Sequence, residues 1–137
     1  MQRNHMSTAM PERLLIADDE SNLLTAYVLF FEAYGYEPRT AADGVDAFAE
    51  YRAWRPEVVI LDIQMPRLDG LAVAREIRKL SARPVPLLEA VSALSAPSAY
   101  ADSIQSGFDH HFVKPAQMPA MLGAVASWQR ARNANPF

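Results

Sequence analysis

The amino-acid sequence predicts an α/β fold in which one doubly wound, five-stranded parallel sheet carries helices on both faces. Short apolar runs alternate with segments of helical periodicity along the 137 residues. The breaks between them are only a few residues long, which suits right-handed βαβ crossovers. The most β-branched run, Val58, Val59, Ile60 and Leu61, has no polar alternation, as expected of a central strand buried on both faces.

Taken in order, residues 14–17 read as a first strand, and residues 21–34 as a helix stopped by Gly35. Residues 38–41 form a weak second strand. Asp43 is placed to cap a helix over 44–54, with Val45, Phe48, Ala49 and Tyr51 at helical spacing and Pro56 just beyond its end. Residues 58–61 are the third strand. Asp69 caps a helix over 71–80, followed by the breakers Ser81, Pro84 and Pro86. A fourth strand over 87–91 leads to a helix over 98–105 halted near Gly107, then a fifth strand over 108–113 and a last helix over 118–130. The expected strand order is 2-1-3-4-5, the flavodoxin-like arrangement. Its switch point, where ligands bind outside the carboxyl ends of the strands, lies between strands one and three.

Length fits one domain, assigned to residues 12–132, with 1–11 as a flexible leader or cloning remnant and 133–137 as a C-terminal tail. No apolar run approaches the roughly 18 residues of a membrane span, and the first ten residues lack the apolar stretch of a secretory signal. The absence of cysteine excludes disulfides and thiolate chemistry and suits a cytoplasmic location. A net charge of −3 gives no electrostatic footprint for nucleic acid. Arg75, Arg78 and Lys79 gather on one helix and are expected to form a solvated face.

Chemistry concentrates at the strand ends. Asp62 closes the third strand, and Asp18, Asp19 and Glu20 follow the first. Acids here could cap the first helix, but capping leaves Asp62 and Lys114 unexplained. Converging carboxylates repel unless a proton or cation balances them. Oxygen-only ligands suit Mg²⁺, or Mn²⁺ with the same preference, with Asp19 and Asp62 as direct ligands, Asp18 direct or through water, and the Gln64 backbone carbonyl completing the shell. Lys114 follows the fifth strand; with that strand taken as adjacent to the third, its ammonium reaches Asp62. Ser92 ends the fourth strand and can donate to an anion held at Asp62. A carboxylate nucleophile, a cation, a lysine and a hydroxyl are the parts that phosphoryl transfer to a carboxylate needs.

The segments LLIADDE, VVILDIQMPRLDG, the VSA around Ser92 and GFDHHFVKP, in this order and spacing, make the chain resemble a bacterial two-component response-regulator receiver domain over about residues 12–132. The resemblance implies that Asp62 accepts a phosphoryl group from a histidine kinase or histidine phosphotransfer protein. It implies that Asp18 and Asp19 hold Mg²⁺, that Lys114 binds the phosphoryl group, that Ser92 swings toward it, and that the Lys114–Pro115 bond is cis. The surface of strands four and five and helix four would then change, for a downstream protein target or output domain to read. Dimerisation through the fourth and fifth helices is a further expectation, on a face including Tyr100, Ile104, Met121 and Val125. The chain itself would be a regulatory phosphoacceptor rather than an enzyme, limited to its own phosphorylation and dephosphorylation.

Three positions depart from the family pattern. His111 stands where the family usually carries Tyr or Phe at its switch. Glu89 falls inside the fourth strand, where an unpaired buried carboxylate would cost several kcal/mol, so it must find a partner, reach solvent or mark a shifted register. Gln64 and Leu94 flank the expected phosphoryl group and bear on its lifetime. Of the other functions, a phosphatase with an aspartyl nucleophile needs a general acid two residues on, where Gln64 stands. A flavin or nucleotide binder needs backbone amides after the first strand, where Asp18 and Asp19 would repel phosphate. His110 and His111 point to opposite strand faces and cannot jointly hold one ion.

Overall fold

The computed structural model describes residues 12–80, 83–115 and 117–134. The expected leader at 1–11, the breaker Ser81 and the last residues of the expected tail, 135–137, lie outside the described residues. Five strands, β1 (Arg13–Ala17), β2 (Glu37–Ala41), β3 (Val58–Asp62), β4 (Leu87–Ser92) and β5 (His110–Val113), alternate with five helices. The helices are α1 (Ser21–Ala33), α2 (Gly44–Trp54), α3 (Gly70–Lys79), α4 (Pro97–Ser106) and α5 (Met118–Ala134). The sheet is parallel in the order β2-β1-β3-β4-β5. No described helix is long and apolar enough to cross a membrane.

Side chains that alternate along the strands feed two cores. Leu15, Ala17, Val59, Leu61, Leu88 and Ala90 face Ala47 and Tyr51 of α2 and Val73, Ala74 and Ile77 of α3. Leu14, Ile16, Val58, Ile60, Leu87 and Val91 face Tyr27 and Phe31 of α1 and Met121 and Val125 of α5. Burial on both faces is why β3 reads as an unbroken apolar run.

Several local expectations shift. The buried stripe of α2 is Gly44, Ala47, Tyr51 and Trp54, whereas Val45 and Ala49 are exposed and Phe48 packs only partly. The stripe runs at i, i+3, i+7 and i+10 and lets the backbone at Gly44 lie against Leu68. A β-carbon there would sit 1.7 Å from the Leu68 carbonyl oxygen. β5 begins at His110 because Gly107 ends α4 in the left-handed region, so Phe108 turns into the core first. α5 continues to Ala134, so residues 133 and 134 extend the helix rather than start a tail.

The basic trio on α3 is not a uniformly solvated face. Arg78 donates to the Gly107 and Pro86 carbonyls and to Asp109, and Arg75 donates to Ser106, so both tie α3 to its neighbours. Arg78 is half-buried, whereas Arg75 and Lys79 are exposed, the latter paired with Glu76. Met121 and Val125 are fully buried in the core rather than on a partner face, which leaves Tyr100 and Ile104 exposed.

Candidate functional site

β1 and β3 end side by side at the switch point. Asp18 leaves β1 with its backbone N–H bonded to the Ala41 carbonyl, and its carboxylate accepts from the Glu20 N–H at 2.9 Å. α1 has Glu20 at its cap position with no side-chain capping bond, so this acidic run does not cap the helix. Asp62 is the last residue of β3, and its Oδ1 accepts from the Gln64 N–H at 3.1 Å. Gly70 presses against the Asp62 backbone. A β-carbon there would lie 2.5 Å from the Asp62 carbonyl oxygen, so the turn that aims Asp62 requires glycine.

Asp18 and Asp62 are buried, Asp19 is exposed, and one oxygen from each lies within 4.8 Å of the others. Lys114 bridges the two buried acids, with Nζ 3.0 Å from Asp18 Oδ2 and 3.2 Å from Asp62 Oδ2. The expected contact with Asp62 exists, although β5 is not adjacent to β3: β4 lies between them. Lys114 reaches across because its N–H bonds the Ser92 carbonyl at 2.7 Å, which fixes the start of its long side chain over the end of β4. The Lys114–Pro115 peptide is cis.

Burial pushes the Asp62 carboxyl above its ordinary range, and Asp18 pushes it further, while the Gln64 N–H and Lys114 pull it back. Burial would lower the Lys114 ammonium, but Asp18 and Asp62 outweigh it and hold Lys114 above its usual range. Three carboxylates around one ammonium leave a surplus of two negative charges at the mouth of the sheet. An all-oxygen cluster with that surplus fits a hard divalent cation, so the acidic cluster can bind a metal ion through Asp18, Asp19 and Asp62.

Ser92 is fully buried at the end of β4, and its Oγ accepts from the Leu94 N–H at 3.0 Å. Leu94 itself is 47% exposed. His111 pairs with Ala90 and faces α4, whereas His110 pairs with Glu89 and faces the other way. Tyr27 is a group that the motif pattern does not reveal. It is buried in α1, and its hydroxyl is pushed up to about 12, first by burial and then by Asp18, with Lys114, Asp62 and Glu20 also acting on it. Its only sequence signal is the i, i+4 spacing with Phe31 on the inward face of α1.

Glu89 takes none of the three expected escapes. It is fully buried in regular register between Ile60 and His110, and neither carboxylate oxygen has a hydrogen-bond partner among the described residues. Burial, with Asp109 adding to it, pushes the carboxyl up to about 8, so near neutrality it is held as the uncharged acid.

The order of the sheet and the lysine-bridged acids at its carboxyl edge define a class: a doubly wound α/β domain with its acidic centre at a topological switch point. Residues 14–126 match the family model described as response regulator receiver domain. The chain belongs to that family, whose domains are regulatory. It is 34% identical over 125 residues to the transcriptional regulatory protein PrrA of Mycobacterium leprae, covering 89% of this chain and 52% of that protein. It is 38% identical over 104 residues to the probable transcriptional regulator ycf27 of Galdieria sulphuraria, covering 76% of this chain and 40% of the relative. The chain thus spans about half the length of the curated relatives it matches.

Among solved structures, the Francisella response regulator 1452 receiver domain superposes with a TM-score of 0.81 at 25% identity, covering 88% of this chain and 98% of that one. CheY in the CheX-CheY-BeF3-Mg²⁺ complex from Borrelia burgdorferi superposes with a TM-score of 0.80 at 28% identity, covering 90% and 92%. The phosphatase alternative is not favoured by these matches.

Proposed function

We propose that Asp62 is the phosphoryl acceptor of a two-component phosphorelay, fed by the phosphohistidine of a histidine kinase or histidine phosphotransfer protein. The observation that carries this reading is Lys114 Nζ bridging Asp18 and Asp62 at the carboxyl edge of the sheet. An Asp62 carboxylate oxygen attacks phosphorus in line, the P–N bond breaks, and the imidazole nitrogen leaves with the electron pair and takes up a proton, giving an acyl phosphate. Lys114 draws the phosphoryl oxygens toward itself, and the Gln64 N–H orients the attacking carboxylate. Asp18, Asp19, Asp62 and the Gln64 carbonyl would hold Mg²⁺ or Mn²⁺, which when bound neutralises charge on the transferring group.

Support comes from the match to the family, from the donor set and from the BeF3 and Mg²⁺ in the similar Borrelia complex. The unit proposed to act is residues 12–132, in the cytoplasm. Its output would pass from Ser92 and the surface of β4, α4 and β5 to a protein target or output domain, with α4 and α5 as a dimer face. No nucleic acid or membrane is proposed to bind this chain. Water supplied to the acyl phosphate ends the signal within the domain's own chemistry.

Gln64 and Leu94 are proposed to set the lifetime of that phosphoryl group, the apolar Leu94 hindering water. Leu94→Asn should therefore lose phosphate faster, and an unchanged decay would remove this role. The main test is addition of Mg²⁺ and beryllofluoride. Amide NMR shifts around Asp62, Ser92 and Lys114 are expected in the native chain and not in Asp62→Ala; identical spectra for the two would overturn the assignment.

A further inference from the structure

α4 is unusual in this fold for what it hides. Its buried residues are the polar Ser103 and Ser106, while Tyr100 and Ile104 stay exposed. Hydrogen bonds rather than apolar burial therefore dominate its seating, and one of them runs to His111. The Ser103 hydroxyl lies 2.6 Å from His111 Nδ1 and 3.1 Å from the Ala99 carbonyl. On the other edge of the ring, His111 Nε2 lies 3.1 Å from the Leu94 carbonyl.

Counting protons separates the two charge states of this ring. The Leu94 carbonyl only accepts, so Nε2 carries a hydrogen. In the neutral ring Nδ1 is then a bare acceptor, and the single Ser103 proton must choose between it and the Ala99 carbonyl. In the imidazolium both ring nitrogens donate, Ser103 accepts from Nδ1, and its own proton goes to Ala99. All three contacts are made at once, and those from the charged ring are strengthened. The Tyr100 ring, with its centroid 4.3 Å from that of His111, adds a further surface that favours a cation.

Leu94 connects this tie to the site. Its carbonyl faces His111 while its N–H holds the Ser92 hydroxyl at 3.0 Å. Resting on the phosphoacceptor reading, we propose that His111 is a protonation-sensitive positioning residue for Ser92. Protonated His111 fastens Leu94 to β5 and α4 and so keeps Ser92 in its present place, against recruitment to a group on Asp62. Because coupling between two binding events is reciprocal, proton uptake at His111 and occupancy of Asp62 then oppose each other.

The surroundings leave few competing charges. From α4, Tyr100 touches the ring, while Asp102 lines the outer surface with Arg75 and Gln105. From β4 the cross-strand neighbour is Ala90. Along β5 and its ends, Asp109 is paired with Arg78, His110 faces the opposite side, and Lys114 is held by Asp18 and Asp62.

The test compares the native chain with His111→Phe and with His111→Gln, which keeps polar reach without titrating. Without beryllofluoride, in a scan from pH 5.5 to 8, the Leu94 amide resonance of the native chain should carry a component that moves together with the His111 imidazole resonance and that both variants lack. With Mg²⁺ present, beryllofluoride affinity should fall by about fivefold or more beyond the fall in the variants as pH drops from 8 to 5.5, the low end of typical coupling. Titration of Asp62 and of Glu89 is common to all three and cancels. A Leu94 amide indifferent to His111, or binding with one shared pH profile, overturns the positioning role alone. Failure of all three to bind beryllofluoride at either pH overturns the phosphoacceptor reading and this inference with it.

Discussion

Asp62 closes β3, and Glu89 lies in the middle of β4, paired with Ile60 two residues before Asp62 on the same face of the sheet. Both acids are buried, at 4% and 0% exposure. Asp62 receives the Gln64 N–H and the Lys114 ammonium and has Asp18 and Asp19 beside it at an open edge. Glu89 receives no hydrogen bond among the described residues and is held protonated near neutrality. Burial raises both groups, so burial does not distinguish a site from a defect. Partners do: at the strand end the backbone and Lys114 compensate the charge while leaving the edge open, and in mid-strand the ladder consumes every backbone donor.

Replacing Glu89 should give the largest stability change. Its folded-state carboxyl is raised from 4.5 to about 8, so as pH rises the unfolded chain ionises first. The native protein therefore loses stability between those two values and levels off above them. Glu89→Met should be more stable at pH 8 by several kcal/mol, with about 5 kcal/mol as the ceiling at roughly 1.4 kcal/mol per pH unit. Urea melts at pH 4 and pH 8 measure this, and a gap that does not widen with pH would break the contrast between the two acids.

Removing the partner of Asp62 should make it behave more like Glu89. Lys114→Met leaves Asp18 and Asp62 facing each other, and a cost of about 1–3 kcal/mol at pH 7 is expected, less than for a fully buried pair because Lys114 is partly exposed. Near pH 4, where carboxylates take up protons, most of that cost should disappear. Equal destabilisation at both pH values would mean that Lys114 acts through packing and not through its charge.

The strand ends made much of the site legible in the sequence. An apolar run that stops at Asp62, a second that stops at Asp18, and a Lys-Pro pair after a third are local patterns, and the parallel fold brings such ends together. What escaped depends on distance in three dimensions. The bridge from Lys114 to Asp18 spans strands that are not neighbours, and Tyr27 meets the acids only through the path of α1. The state of Glu89 follows from which face the register gives it, and the α2 stripe turned on the close approach of Gly44 to Leu68, invisible in helical spacing alone. His111 could be marked as unusual, but its bonds to Ser103 and Leu94 required the seating of α4.

The measurement that bears most directly on the acceptor role of Asp62 is the intact mass of the chain after incubation with acetyl phosphate and Mg²⁺, beside Asp62→Ala and a sample with the cation chelated. The account predicts a gain of one phosphoryl group in the native chain with Mg²⁺ and none in the other two. A phosphoryl gain that persists in Asp62→Ala, or none in the native chain, would contradict it.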